Sequence, residues 1–556
     1  PAGATTTLFP WVSANPAGQL FPIRLPVGTI AAVAATAPNP ERSFYGQPNA
    51  VVRADAELTG HAPGTRLDGT VSADAVGLDG YTVKAVPFGN GDGGASIGGT
   101  AIATLQPGVA TLADGDRLSM DGRAIGVANS HLYGAPTLNT TVEGVGLALA
   151  RSIPAAASLN QLQGIGILNS RIDTNQGNDV IRAFGGMSDR GMPIPAGLSP
   201  TSRDAAGFDG VSITTGLGDD TVFGRVLHEV DAGIDHDGDG QLEDTVFLDR
   251  AALSDPARSG FDGIRHTAIN TGIGNDLIGG SSSVSHVNAE IGDDTINLDR
   301  ARYSSFWGGI GNDALSSKGP ALHNVFWGGL GNDNLSLSSG DGNLLDGGLG
   351  QDVLSGGTGV DHFVVSDAAG ALRAASSTSL RDDLADAPLW SLLSQQQKDS
   401  LWQNGTLLNA DGQVVGRADA IRNFEAGAGG EVLHLSDSLA AITQELRQQK
   451  GAIFGVGSNG TLTVNEASAD GTNKVGIVVG SLADIQKLGI GSPTLAYATD
   501  TRQLMFDADG LWASGAQSLG SLSISNGAAL SRSNLQFGSA SGAAAGAAPT
   551  GQQGVV

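Results

Sequence analysis

The chain has 556 residues, enough for several folded units, and a formal net charge of −26. This acidity excludes nucleic acid as an expected partner, because the phosphate backbone carries charge of the same sign. The absence of cysteine excludes disulfides, thiolate metal sites and thiol nucleophiles, and no apolar run has the ~18–20 residues that a transmembrane segment needs.

Residues 1–150 are predicted to be a β-rich or irregular N-terminal region. TTTLFPWV and QLFPIRLPV are strand-like but contain proline, which suits edge strands or an extended arm. GASIG, at residues 94–98, matches the G-x-S-x-G pattern that surrounds some nucleophilic serines. We assign Ser96 no catalytic role, because a chance match is expected with this much glycine and the strand-turn-helix context is missing.

A nine-residue pattern with glycine at its fourth and aspartate at its sixth position recurs along residues 174–364. Its copies are TNQGNDVIR (174–182), TGLGDDTVF (215–223), TGIGNDLIG (271–279), AEIGDDTIN (289–297), GGIGNDALS (308–316), GGLGNDNLS (328–336), GGLGQDVLS (347–355) and GGTGVDHFV (356–364). From residue 271 the starts advance by 18, 19, 20 and 19 residues. This constant phase separates the copies from chance Gly-x-Asp matches.

Apolar residues keep the same phase as the copies. The eighth position holds Ile181, Val222, Ile278, Ile296, Leu315, Leu335, Leu354 and Phe363. Two residues before a copy stand Ile172, Ile213, Ile269, Val287, Phe306, Phe326 and Leu345. The pattern predicts a parallel β-solenoid, in which turns alternate with short strands that each point one apolar side chain inward.

The sixth-position aspartates are predicted to form a column along one edge of this solenoid. Neighbouring coils stack ~4.8 Å apart, so equivalent carboxylates repel each other unless cations lie between them. Asp oxygens and turn carbonyls together provide the oxygen ligands that Ca²⁺ prefers. The predicted calcium ligands are therefore Asp179, Asp220, Asp276, Asp294, Asp313, Asp333, Asp352 and Asp361.

The copies resemble the GGxGxDxUx repeats of RTX proteins, the hemolysin-type calcium-binding family. The match is strict over residues 271–365 and looser back to about residue 165. RADAIRNFEAGAGGEVLHLSDS (417–438) and LMFDADGLWASGAQSLGSL, from Leu504, are similar to segments that follow such arrays. The resemblance implies a calcium-bound parallel β-roll, several Ca²⁺ ions, and type I secretion to the cell exterior or the bacterial cell surface.

The chain departs from the family pattern in the spacing of its strict copies. Family arrays often run in direct tandem, whereas the stretches SSSVSHVN, RARYSSFW and KGPALHNVFW between copies here lack the Gly-Asp turn. We therefore expect a calcium column mainly on one edge, with both edges complete only over residues 347–364. The alternative is a set of Gly- and Asp-rich turns with no metal.

A second calcium site is predicted within DAGIDHDGDGQLEDTVF, at residues 231–247. An insertion there completes the D-x-D-x-D-G pattern of the first half of an EF-hand loop. The candidate ligands are Asp235, Asp237, Asp239 and Glu243. Val246 stands where an EF-hand has its bidentate Glu, so a solvated hairpin tip is the alternative.

Trp307 and Trp327 each follow an inward-pointing Phe. Because side chains alternate along a strand, both are predicted to point outward, one coil apart, as an exposed aromatic ladder. Either a neighbouring segment of the chain covers them, or they contact a partner or a glycan.

The remaining chain is predicted to divide into three parts. Residues 366–450 form a helical or mixed region, with helices near Pro388 and after Ser436, and residues 451–537 form a β-rich region with a short helix at SLADIQKL. Residues 538–556 are a low-complexity tail. The predicted fold is thus mainly β: a calcium-bound β-roll at 160–365, flanked by a β-rich N-terminal and an α+β C-terminal region.

Three functional hypotheses follow. The sequence favours a secreted structural protein that folds on Ca²⁺ and assembles, alone or with other cell-surface components, into a surface layer, sheath or filament. The alternatives are an exported toxin or hydrolase and a glycan-binding adhesin that uses the two tryptophans. No H-E-x-x-H motif or other convincing catalytic set is present, so we do not expect an enzyme.

Overall fold

The structure is a computed structural model. It describes residues 11–13, 29–35, 43–45, 49–58, 68–85, 94–107, 117–150, 158–188, 203–229, 247–249, 261–365, 419–435, 453–456, 462–465, 477–487, 494–507, 512, 516–530 and 532–537. Nearly all regular structure in these ranges is β-strand, which confirms the mainly β fold class. The chain divides into two compact units, Pro1–Thr271 with Leu277–His286, and Gly272–Asp276 with Val287–Val556.

Twenty strands precede residue 284. They are β1 (Trp11–Ser13), β2 (Thr29–Ala35), β3 (Ser43–Tyr45), β4 (Asn49–Leu58), β5 (Asp68–Asp79), β6 (Thr82–Lys84), β7 (Ala95–Pro107), β8 (Arg117–Ala128), β9 (His131–Tyr133), β10 (Thr140–Ala150), β11 (Ser158–Leu168), β12 (Arg171–Gln176), β13 (Val180–Ser188), β14 (Arg203–Asp209), β15 (Ser212–Leu217), β16 (Thr221–Glu229), β17 (Phe247–Asp249), β18 (Phe261–Arg265), β19 (Ala268–Ile273) and β20 (Leu277–Ser283). The count covers only the described residues.

The later elements are also mostly short strands. They are β21 (His286–Asn288), β22 (Thr295–Arg302), β23 (Ser305–Ile310), β24 (Ala314–Leu322), β25 (Val325–Leu330), β26 (Asn334–Asp341), β27 (Leu344–Leu349), β28 (Val353–Ser355), β29 (His362–Val365), β30 (Ala420–Phe424), β31 (Val432–Leu435), β32 (Ile453–Val456), β33 (Leu462–Asn465), β34 (Ile477–Gly480), α1 (Leu482–Ile485), β35 (Thr494–Ala498), β36 (Gln503–Asp507), β37 (Gln517–Ile524), a 3₁₀ turn (Arg532–Asn534) and β38 (Leu535–Phe537).

In the first unit, strands pair in parallel with strands one coil later in three series. The first series is β4–β7–β10–β13–β16, the second β5–β8–β11–β14–β18, and the third β3–β6–β9–β12–β15. Val142 lies opposite Ile181, which lies opposite Val222, so the register repeats the predicted apolar phase. Regular stacking therefore includes much of residues 49–150, where the sequence shows no period.

Glycine allows two of these series to approach each other closely. A Cβ on Gly126 in β8 would collide with main-chain atoms of Gly99, Val145 and Gly166. Only a residue without a side chain fits at this contact. Gly126 thus serves close contact between two strand series rather than a turn.

The repeats of the second unit form two parallel series with two strands to a coil. The series are β22–β24–β26–β28–β30–β37 and β23–β25–β27–β29–β31–β38. The apolar residues predicted to point inward are at most 1% exposed in both units. This arrangement is consistent with the predicted parallel solenoid and places every nine-residue copy at a turn between two strands.

The region after the repeats contains a short helix where the sequence predicts one. Helix α1 begins after Ser481, whose hydroxyl accepts a hydrogen bond from the Asp484 N–H at 3.2 Å. The helices expected near Pro388 and after Ser436, and the tail 538–556, lie outside the described residues. None of the helices in the described ranges has the length and apolar character needed to cross a membrane.

Candidate metal-binding site

All eight nine-residue copies share one backbone conformation. The second and fourth positions have positive φ in each of them: Asn175, Gly177, Gly216, Gly218, Gly272, Gly274, Glu290, Gly292, Gly309, Gly311, Gly329, Gly331, Gly348, Gly350, Gly357 and Gly359. The left-handed region favours glycine, and the exceptions Asn175 (φ 78°) and Glu290 (φ 71°) are forced into it by the turn. This shared turn directs each sixth-position side chain into the protein.

The sixth-position side chains of the second unit form one buried column. The Asp column consists of Asp276, Asp294, Asp313, Asp333, Asp352 and Asp419, each at most 4% exposed. Each backbone N–H donates to Oδ1 of the aspartate one coil later, at 2.7, 2.8, 2.8, 2.8 and 3.3 Å in chain order. In the first unit the Asp179 N–H donates to Asp220 Oδ1 in the same way, at 2.7 Å.

The second carboxylate oxygen of the column has a different environment. Oδ2 of Asp294, Asp313 and Asp333 is buried and accepts no hydrogen bond from any residue that the structure describes. Burial raises the pKa of Asp313 to about 8, and burial together with the Asp313 carboxylate raises the pKa of Asp294 to about 10. Without a cation, these groups are therefore held in the protonated form at neutral pH.

Main-chain oxygens face the carboxylate oxygens of Asp313 and Asp333 at the first position of a copy. A Cβ on Gly308 would collide with Asp313 Oδ2 and lie 2.6 Å from the Gly328 carbonyl oxygen. A Cβ on Gly328 would collide with Asp333 Oδ2 and lie 2.5 Å from the Gly347 carbonyl oxygen. We call each such convergence of oxygens an oxygen site; it offers ligands of the type that Ca²⁺ takes.

The copies of the first unit have threonine at the same position. Thr174 and Thr215 stand there, and Thr174 Oγ1 donates to the Thr215 carbonyl oxygen at 3.4 Å. Thr215 Oγ1 donates in turn to the Thr271 carbonyl oxygen. The predicted metal ligands thus occur in turns that differ at the first position, which is threonine before Asp179 and glycine before Asp313 and Asp333.

The opposite edge of the second unit has a ladder of its own. The second-edge column consists of Ser304, Asn324, Asn343 and Asp361. Each backbone N–H donates to the side-chain oxygen one coil later, at 3.0, 3.1 and 3.1 Å. Asn343 Nδ2 also donates to the Ala321 carbonyl oxygen at 2.7 Å. Amides therefore close most of this edge, where the sequence predicts that the Gly-Asp turn is lost.

Two buried acids that sequence reasoning did not select also belong to these columns. Asp419 continues the Asp column, and Glu431 is fully buried beside Asp361. Burial raises the pKa of Glu431 to about 8. Both stand two residues before an inward apolar residue, Ile421 or Leu433, which is the acid-x-apolar spacing of the copies and could have revealed them.

The tryptophans lie one coil apart, as predicted. Trp307 and Trp327 are paired in register, and their ring centroids are 4.5 Å apart in an edge-to-face arrangement. Each is half-buried rather than fully exposed, partly because the rings contact one another. Phe306 and Phe326 stack inside the same coils at 4.9 Å.

The other candidate residues do not join a site in the described ranges. Ser96 lies within strand β7 opposite Thr141, not in a strand-turn-helix elbow. The EF-hand-like ligands Asp235, Asp237, Asp239 and Glu243 lie outside the described residues. Within the described ranges no three His, Asp or Glu side chains form a metal-binding group, so the oxygen sites depend on main-chain oxygens.

No family model matches the chain, and no match is found among curated proteins or solved structures.

Proposed function

We propose that this protein binds several Ca²⁺ ions along the Asp column, folds on binding them outside the cell, and is a structural component of a surface layer, sheath or filament. The observation that carries the proposal is the set of buried Asp Oδ2 atoms facing main-chain oxygens at glycine positions. A buried carboxylate without a donor is costly, and a cation between the oxygens would remove that cost.

Calcium fits the ligand chemistry better than other biological cations. The oxygen sites offer carboxylate and carbonyl oxygens, at turns where the chain has no cysteine and the column no histidine. Ca²⁺ accepts six to eight oxygen ligands in flexible geometry, whereas Mg²⁺ demands a near-ideal octahedron and keeps several waters. The buried sites at Gly308 and Gly328 are formed largely by the protein itself, which favours calcium.

Calcium binding and folding are coupled in this proposal. In the unfolded chain the aspartates lie apart and are hydrated, so the oxygen sites exist only when the coils stack. A cation that binds the folded state alone stabilises it in proportion to the logarithm of its concentration. Folding would thus be weak where free calcium is scarce and strong outside the cell.

Isothermal titration calorimetry and circular dichroism of the full chain test the calcium claim. We expect several Ca²⁺ ions per chain and a gain of β-sheet signal on titration. Asp333→Asn, which keeps an acceptor for the Asp313 N–H but replaces Oδ2 by an amide, should bind fewer ions. Asp293→Asn is the matched control, because Asp293 is exposed in the same kind of turn and Asn312 occupies the equivalent position. An unchanged spectrum and no heat of binding would reject the proposal.

Assembly requires a separate experiment. The Trp307–Trp327 pair provides an apolar surface that remains partly accessible, and such a surface favours contact with another chain. Electron microscopy with and without calcium should show ordered polymers only with calcium. Monodisperse monomers under all conditions would leave a calcium-binding protein but contradict its structural role.

A further inference from the structure

We propose that Asp361 and Glu431 form a cation site of their own on the second edge, and that the bound ion holds residues 419–435 to the repeats. The identification of the ion as Ca²⁺ rests on the proposed function. The position of the site does not, because it lies in the second-edge column and uses an acid from outside the nine-residue copies.

The two carboxylates converge on one point. Asp361 and Glu431 are both fully buried. A Cβ on Gly356, the first residue of the last copy, would lie 2.7 Å from Asp361 Oδ2 and 2.8 Å from Glu431 Oε1. Neither oxygen accepts a hydrogen bond from the part of the chain that the structure describes. Two such oxygens repel when ionised, and a divalent cation between them would satisfy both.

In the coil before Asp361 on the same edge, an amide occupies the place that we propose for a cation. Asn343 accepts the Asn324 N–H through Oδ1, while its Nδ2 donates to the Ala321 carbonyl oxygen at 2.7 Å and to Asp361 Oδ1 at 2.9 Å. The amide thus supplies its own hydrogens. Two coils after Asn343, Glu431 stands where an amide would close the ladder, and no equivalent donor reaches Oε1 from the part of the chain that the structure describes.

The surroundings hold Glu431 toward this point. Its Oε2 accepts a hydrogen bond from the Glu425 N–H at 2.8 Å, and Asn534 Nδ2 donates to its carbonyl oxygen at 2.8 Å. The Val432 N–H donates to the Asp361 carbonyl oxygen at 2.9 Å. Oε1 is therefore left over for a ligand after the local hydrogen bonds are made.

The ion would join two distant parts of the chain. Residues 361 and 431 are about 70 positions apart, so holding β31 beside β29 closes a long loop and carries an entropic cost. A cation shared by the two acids offsets that cost, and its removal takes this link between β29 and β31 away. Ordering of 432–435 should therefore depend on calcium.

The test combines ion counting with hydrogen exchange on the full chain. Calcium bound at equilibrium is counted by dialysis, and amide exchange is followed for residues 432–435. In the wild type, protection of these amides should fall at least tenfold when calcium is removed. Glu431→Gln should bind one ion fewer and keep its protection without calcium, because the new amide can donate to Asp361 Oδ2. Asp361→Asn, a second variant, should also bind one ion fewer.

Asp333→Asn separates this proposal from the function proposed above. It should also lose bound calcium, but protection of 432–435 should still depend on calcium. If Asp333→Asn loses an ion while Glu431→Gln and Asp361→Asn do not, the second-edge site is wrong and the Asp column stands. If only Glu431→Gln and Asp361→Asn lose an ion, the second-edge site stands and the Asp column is wrong as a calcium site. Equal protection of 432–435 with and without calcium in the wild type would also overturn the inference.

Discussion

In the absence of calcium, the free energy of unfolding of this protein should fall as the pH rises from 4 to 8. Asp313 has an ordinary pKa of 3.8, and burial raises it to about 8 in the folded chain. Below pH 4 the carboxyl is protonated in both states. Between pH 4 and 8 the unfolded state loses its proton while the folded state keeps it, so unfolding is increasingly favoured.

The size of the effect follows from this shift. Each pH unit in that window lowers the free energy of unfolding by about 1.4 kcal/mol for one such group. At pH 7 the loss from Asp313 alone is on the order of 4 kcal/mol, which is a large part of the 5–15 kcal/mol that stabilises an ordinary domain. Bound calcium favours the ionised form, so with calcium the stability should rise over the same range.

Urea denaturation followed by circular dichroism, at unit pH steps with and without calcium, measures both slopes. Asp313→Asn cannot ionise and should be more stable than the wild type at pH 7 without calcium, by on the order of 4 kcal/mol, but not at pH 4. The exposed Asp293→Asn should keep the falling slope and reduce it only slightly, because burial raises the pKa of Asp313 more than the Asp293 carboxylate does. A calcium-free stability that is flat or rising from pH 4 to 8 would refute the reasoning.

Three further substitutions probe other parts of the site. Gly328→Ala should abolish one calcium site, counted by dialysis, because its methyl group would collide with Asp333 Oδ2; unchanged binding would contradict the oxygen site. Phe326→Ala should cost about 3–5 kcal/mol in urea denaturation, because the ring is fully buried and stacked; a cost below about 1 kcal/mol would contradict that packing. The double change Trp307→Ala and Trp327→Ala should cost about 0.5–1.5 kcal/mol more than the loss of buried apolar area accounts for. It should also abolish polymers in electron micrographs while calcium binding stays, and intact polymers would exclude the pair as a contact.

The sequence predicts the repeats of the second unit well because each coil returns after 18–20 residues. Phe306, Phe326 and Leu345 follow from period alone, and all three are buried and in register. The Asp column follows from the same phase. Short coils leave little freedom in register, since a slip of one residue would turn every inward side chain outward.

The first unit could not be predicted in the same way. Its coils have three strands, and their sequences share little except glycines at points of close approach, such as Gly126. Such a glycine has no signature of its own in a chain with 84 of them. The parallel order there comes from contacts between strands far apart in sequence, which local patterns do not contain.

Within the site, the sequence shows the acids but not what each one faces. Threonine at Thr174 and glycine at Gly308 occupy the same position of the pattern, and the difference is visible in the letters. The consequence of this difference is seen only in the structure, because only the stacked coils bring Asp313 Oδ2 and the Gly328 carbonyl oxygen together. Glu431 is not predicted as a site residue for a related reason, since more than sixty residues separate it from the copies.

The turns of this protein differ in the group that lies beside the oxygens of neighbouring coils. Stacked coils bring main-chain and side-chain oxygens together at each edge, and a hydrogen-bond donor or a cation between them lowers their repulsion. The Thr215 hydroxyl donates to a main-chain oxygen in the first unit, and the Asn343 amide does so on the second edge. At Gly308 and Gly328 no side chain that the structure describes donates between the Asp Oδ2 and the facing carbonyl oxygen, and there we propose a cation. We therefore expect the dependence on calcium to be greatest at Asp313 and Asp333, whose copies begin with glycine.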